Sequence, residues 1–434
     1  MLRTLVSPED SLLLSGDLAD STLSGSAPPQ RSTPFVREYK LLTPNTSTLT
    51  ASGEATWEIP PFADAIGRTE LIIRMNAAAT GSTLANRFCA GAGLAAWTQI
   101  EISYAGQAIQ TIVPQQIYHF IMTKLSSERQ AHALDKLGFW DVSRRNAEAG
   151  NTGASAYDYF IPLYPIFYYL QSQPFYLVAA HSRLTFKVTF AAANRVVQTD
   201  GTSAMTINAV RLRLETFHVT EGERAAYLGQ VSREGGLVYS YSDFSRHAEH
   251  SLTNGTDTYT INLTNFHSAA EEIFLWIRYA DQTNDGGDSA SASTQHLGAG
   301  TVYFPDPYAW DLQPYAGEAP CFLQCSHTLG SGIRITDDAG TVFEEMSHNE
   351  LREHMYESYP AAPPAPHGFY ALSPKRFPSI PNKRSGHVSF GELSNPALRI
   401  VLRASLAADA HAEIYMSRPQ YAHFERGDLN RVIR

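Results

Sequence analysis

The stretch Ile100–Gln110 reads IEISYAGQAIQ, and Ile333–Phe343 reads IRITDDAGTVF. Each runs as an alternating segment, an Ala-Gly pair and a second short alternating segment. In the first, Thr98, Ile100, Ile102 and Tyr104 fall on one side, with Trp97, Gln99, Glu101 and Ser103 on the other. A period of two is the mark of a half-buried strand. Glycine in the turn takes positive φ at little steric cost. Both stretches therefore predict a tight β-hairpin.

The segment after each hairpin also repeats. After Ile112, Pro114 stands where a helix starts without needing its N–H. Ile117, Phe120, Ile121 and Leu125 then form an apolar stripe. Gly106 and Gly340 are 234 positions apart, and the same interval carries Ile117 to Leu351 and Ile121 to Met355. These lie in a segment opened by Ser347 and Glu350, a capping-box pair. The strand before the turn is one residue out of step, which we read as a small edit in the turn.

Further strands are expected at TELIIRMN (69–76), RLTFKVTF (183–190), MTINAVRLRLETF (205–217), LVYSYSDF (237–244), TYTINLTNF (258–266) and EIFLWIRYA (272–280). SRLTFKVTF matches PALRIVLRA (396–404) in style, and NAVRLRLETF matches HAEIYMSRPQY (411–421). The chain is accordingly read as all-β. Two tandem eight-stranded jelly-roll β-sandwiches are expected, with short helices in the long connections. The division is a flexible N-terminal arm (1–34), a first jelly roll (35–220), a linker at the polar helix candidate 221–232, a second jelly roll (233–425) and a C-terminal tail (426–434).

Composition agrees. The 434 residues include 22 Tyr and 21 Phe, an enrichment that favours strands. The formal net charge of −10 argues against a sequence-specific reader of nucleic acid, which needs cations for phosphates. Lys375-Arg376 and Lys383-Arg384 read as solvated loop charge. Three cysteines are too few for a disulfide framework in a chain this long. No segment reads as a signal peptide or a membrane-spanning helix.

A search for chemistry returns no catalytic, cofactor-binding or metal-binding residues. Cys321, Cys325 and His327 are ligand types, but their spacing is not that of a zinc knuckle and no second pair lies nearby. Gly91–Ala96 nearly matches a dinucleotide fingerprint, yet a strand comes after it where a helix is required. DQTNDGGD (281–288) resembles a calcium loop, but Ala292 stands where a bidentate Glu belongs. Glu271-Glu272 and Glu344-Glu345 are adjacent pairs, so in strands they point to opposite faces. His348 and His354 share no helical face. The expectation is a non-enzyme.

Three stretches resemble one family, the double jelly-roll major capsid proteins of double-stranded DNA viruses, especially the nucleocytoplasmic large DNA viruses. IEISYAGQAIQ resembles the family's strand ending in Gly-Gly-Gln. Gly106 and Gln107 are kept, and Ala105 replaces the first glycine. YFIPLYPIFYYLQSQPFYLVAAHSRLTFKV (159–188) resembles its aromatic-Ile-Pro-Leu-Pro segment, interrupted by Tyr164. RSGHVSFGELSNPALRI (384–400) resembles its Pro-Ser-Gly segment, with Arg384 in place of the proline. The resemblance spans about residues 50–420, as a divergent member.

It implies a homotrimer that looks six-sided, because each of three chains supplies two similar barrels. Such capsomers tile an icosahedral virion shell beside penton and minor capsid proteins, often over an internal membrane. The rival is a carbohydrate-binding or carbohydrate-active tandem β-sandwich, suggested by the many Tyr and the five Trp. A penton or spike protein usually needs one jelly roll, and the duplication argues against it.

Overall fold

The computed structural model describes residues 35–46, 49–80, 87–139, 157–164, 166, 174–198, 202–231, 237–246, 250–253, 255–267, 269–279, 329–338, 340–359, 369–374, 386–402, 410–425 and 428–433. The first roll contains β1 (Phe35–Leu42), β2 (Glu54–Ile59), β3 (Ala65–Thr80), β4 (Trp97–Tyr104), β5 (Gln107–Ile112), β6 (Tyr157–Pro162), β7 (Leu184–Phe190) and β8 (Thr202–Val219). They form two antiparallel four-stranded sheets, ordered β1-β8-β3-β6 and β2-β7-β4-β5. Among the described residues, two helices, α1 (Pro114–Lys124) and α2 (Ser127–Lys136), lie in the connection from β5 to β6.

After helix α3 (Glu221–Val231) the second roll repeats the plan. Its strands are β9 (Leu237–Arg246), β10 (Thr258–Asn262), β11 (Glu272–Tyr279), β12 (Leu329–Asp337), β13 (Gly340–Met346), β14 (Phe369–Leu372), β15 (Ala397–Leu402) and β16 (Ala410–Glu425). Their orders are β9-β16-β11-β14 and β10-β15-β12-β13. The first roll's orders become the second roll's when eight is added to every label. Helix α4 (His348–Ser358) occupies the connection that α1 occupies in the first roll. The chain is thus two jelly rolls in tandem. His250–Leu252 and β17 (Asp428–Ile433), which lies in the segment read as a tail, also pair with β16.

Alternation drives the packing. In β7, Leu184, Phe186, Val188 and Phe190 are buried, while Thr185, Lys187 and Thr189 between them are not. Trp97 departs from the sequence reading. A register shift between Trp97 and Gln99 turns the indole inward, where it is fully buried and its Nε1 donates to the Gly93 carbonyl at 3.0 Å. A β-bulge puts two residues against one, so the side-chain alternation resets.

The repeated hairpin also needs correction. In the first roll, Tyr104 pairs with Gln107 across Ala105 and Gly106, whose φ angles are 52° and 78°. Positive φ at both central residues is the type I′ pattern. In the second roll, Asp337 pairs with Gly340. Gly340 therefore opens the returning strand, at the position of Gln107, and does not match Gly106. Strand positions correspond at an interval of 233, as Ile102 and Ile335 do, and helix positions at 234. The extra residue lies in the hairpin's strands, not its turn. The β4–β5 pair has one register shift and the β12–β13 pair has two.

Candidate assembly interface

Helix α1 carries apolar residues on one stripe, yet every residue from Pro114 to Thr123 is buried. Its inner stripe faces the first roll's core. Its other side meets the second roll. The Tyr118 ring lies 5.8 Å from that of Trp276 on β11, and the His119 ring packs on Phe274 and on Phe244 of β9. Phe244 and Phe274 stack at 5.4 Å. Gln116 Nε2 donates to the Ser242 carbonyl at 3.3 Å.

This contact explains the nearly unbroken apolar run of β11. Ile273, Leu275 and Ile277 belong to the second roll's own core, while Phe274 and Trp276 pack with the first roll. A strand buried on both faces cannot alternate with polar residues. The far end of the same sheet reaches the first roll through other residues. Tyr241 Oη donates to the Ile109 carbonyl at 2.7 Å. The Phe424 ring meets Tyr104 at 5.2 Å and Phe175 at 5.5 Å.

Charge is buried within this seam. Lys124 at the end of α1 ion-pairs with Glu272 at the start of β11, with side-chain exposures of 7% and 2%. His119 Nε2 lies 3.8 Å from the same carboxylate. The Lys124 ammonium sits 4.9 Å from the centre of the Tyr359 ring. Burial pushes the Tyr359 phenol well above the usual tyrosine range, and the Glu272 charge adds to the shift. A buried carboxylate is tolerated when a cation meets it.

The corresponding sheet face of the first roll is dressed differently. At an interval of 202, Glu70 stands for Glu272, Ile72 for Phe274 and Arg74 for Trp276. Arg213 ion-pairs with Glu70, Arg37 with Glu215, and Arg74 with Asp158, the last through two bonds of 2.7 and 2.6 Å. The Glu70 and Glu215 side chains are almost buried, while those of Arg37, Arg74 and Arg213 are 50%, 42% and 33% exposed. Strand β1 stays open on both faces. Phe35, Val36, Tyr39 and Leu41 are 59%, 56%, 50% and 54% exposed, against 1% and 2% for Tyr239 and Tyr241 on the equivalent β9.

No family model matches the chain, and no curated protein matches it by sequence. Solved structures do match. The major capsid protein of Faustovirus superposes with a TM-score of 0.66 at 9% identity, covering 92% of each chain. VP54 of the virus PBCV-1, fitted into a reconstruction of the virophage Sputnik, gives 0.65 at 14% identity, covering 93% of this chain and 98% of its own. A chain of the Sputnik virophage structure gives 0.58 at 11% identity, covering 92% and 88%.

The chain has the double jelly-roll fold of viral major capsid proteins.

Within this double jelly roll, the residues weighed for chemistry are dispersed. Cys321, Cys325, His327, the 281–288 loop, Lys375-Arg376 and Lys383-Arg384 lie outside the described residues. Gly91 is left-handed, with φ 68°, and caps a buried one-turn helix, Ala92–Ala95, that leads into β4. Glu272 is held by Lys124 in the seam, whereas Glu271 is buried beside it with its carbonyl accepting from Ser373. His354 is half-buried on α4, and burial lowers its pKa. Sequence reasoning missed the seam. Its signal was present in two places: a lysine ending an apolar helix, and a strand with no polar face.

Proposed function

We propose that the chain is the major capsid protein of a double-stranded DNA virus. In this reading three chains form a six-sided capsomer, and capsomers tile an icosahedral virion shell. The observation that carries it is the pair of jelly rolls with matching strand orders, locked side by side by a buried seam. A rigid pair of similar wall units lets three chains present six nearly equivalent sides. The division into an arm (1–34), two rolls (35–220 and 233–425), a linker (221–232) and a tail (426–434) belongs to the same proposal. So do neighbouring capsomers, penton and minor capsid proteins and an underlying membrane as partners, and a role without catalysis or sequence-specific nucleic-acid binding. The carbohydrate reading loses support among the described residues, where the tryptophans, Trp57, Trp97 and Trp276, are buried and offer no surface on which a sugar can stack.

Light scattering tests this. Three chains of 47.8 kDa, about 143 kDa, are expected in solution. A monomer at micromolar concentration overturns the capsomer. A chain starting at Pro34 should still give the trimer and fail to form shells, since the arm has too little apolar surface to order itself without a neighbour.

A further inference from the structure

We propose that the open face of β1 in one copy receives helix α4 from the second roll of another copy. The proposal rests on the capsomer reading and names the surfaces that would join the chains. Its ground is an asymmetry between the rolls. The second roll's first sheet is covered by α1 and its surroundings. The first roll's equivalent sheet leaves Phe35, Tyr39 and Leu41 exposed on one face, and the second roll's equivalent helix leaves its outer side exposed. One duplicated contact is therefore filled within the chain, while in the other the edge strand β1 and the outer side of α4 stand open. A head-to-tail contact of this kind joins copies into a ring when the rotation closes.

The helix positions identify the complementary groups. At the interval of 234, the seam residue His119 becomes Glu353, Met122 becomes Tyr356 and Thr123 becomes Glu357. The first helix is buried at these positions, and the second is exposed at all three, Tyr356 by 50%. Residues three and four apart share a helix face, so the two carboxylates and the phenol form one stripe. The sheet opposite presents the guanidinium groups of Arg37 and Arg213, each 5.3 Å from the centre of the Tyr39 ring. An arginine already paired below keeps N–H donors for a second carboxylate above. Polarity is thus inverted between the two contacts. Within the chain, a helix cation meets a sheet carboxylate. Between chains, helix carboxylates meet sheet cations. A copy's α1 does not compete for this sheet, because its own second roll already covers it.

Two measurements on the full chain test the surface. E353K/E357K places cations opposite Arg37 and Arg213, and the scattering mass should fall from trimer to monomer. Separately, p-benzoylphenylalanine at position 356 should photocross-link to residues 35–42. In mixtures of heavy- and light-isotope chains those links should join one chain to another. A wild-type chain that is itself a monomer overturns both the capsomer and this surface. If the wild type is a trimer, a trimeric E353K/E357K or interchain links mapping elsewhere overturn this surface alone.

Discussion

Lys124 of the first roll and Glu272 of the second form an ion pair across the seam, with both side chains almost wholly removed from solvent. Removing one partner leaves the other buried and uncompensated, which typically costs about 3–5 kcal/mol. Glu272→Leu and Lys124→Met should each lower the thermal midpoint sharply. The double variant K124M/E272L should recover most of the loss, because well-packed apolar residues often replace a buried pair at little cost. Calorimetry of the two single variants and the double decides it.

The hairpin turns give a second expectation. Ala105 holds φ 52°, a left-handed conformation that strains an L-residue by roughly 1–2 kcal/mol. Ala105→Asn should raise the melting temperature, since asparagine suits the first position of a type I′ turn. Gly340 holds φ 140° with open space around its missing side chain. Gly340→Ala should therefore destabilise by about 1–3 kcal/mol through backbone strain alone. An unchanged midpoint in both variants would remove the strain argument.

Equivalent positions in the two rolls should respond unequally. Trp276 is buried in the seam, and Trp276→Ala should cost about 3–5 kcal/mol. Arg74, its counterpart, lies in a half-exposed ion pair, and Arg74→Ala should cost within about 1 kcal/mol. Denaturant midpoints of the two variants measure the contrast.

The Tyr359 phenol gives a pH dependence. Its folded pKa lies well above the ordinary 10.0, first through burial and then through the Glu272 charge. Below pH 10 both folded and unfolded states keep the proton, and the contribution is fully present. As pH rises past the unfolded value, only the unfolded chain ionises, so stability is lost toward the folded pKa. Tyr359→Phe should flatten this part of the alkaline profile. Melting temperatures of both proteins measured between about pH 9 and 11 give the comparison.

Much of the fold was legible because burial on one face leaves a period of two. β7 and the strand flanking Ala105-Gly106 announce themselves this way. Bulges hide from that signal. Trp97 reads as outward-facing until a register shift reverses it, and the residue separating the two hairpins was assigned to the turn because a strand irregularity leaves no local mark in sequence. The seam was harder. Phe274 and Trp276 interleave with Ile273, Leu275 and Ile277, so the sequence shows a strand without saying that its faces belong to different partners. Glu272 looked like half of an acidic pair, and only the fold brings Lys124 to it.

Strand β16 pairs with β9 on one side and with β11 on the other, and it comes after both in the chain. The two earlier strands cannot join until it arrives between them. Translation order therefore builds a checkpoint into the molecule. A nascent chain can complete its first roll early, as domains generally fold while synthesis proceeds. It then carries α1 with one side uncovered, because the sheet that covers it still lacks its middle. Ribosomes that stall before Ala410 should release products whose exposed seam marks them for chaperones. Only a chain that has passed that point can hold its two rolls fixed to each other.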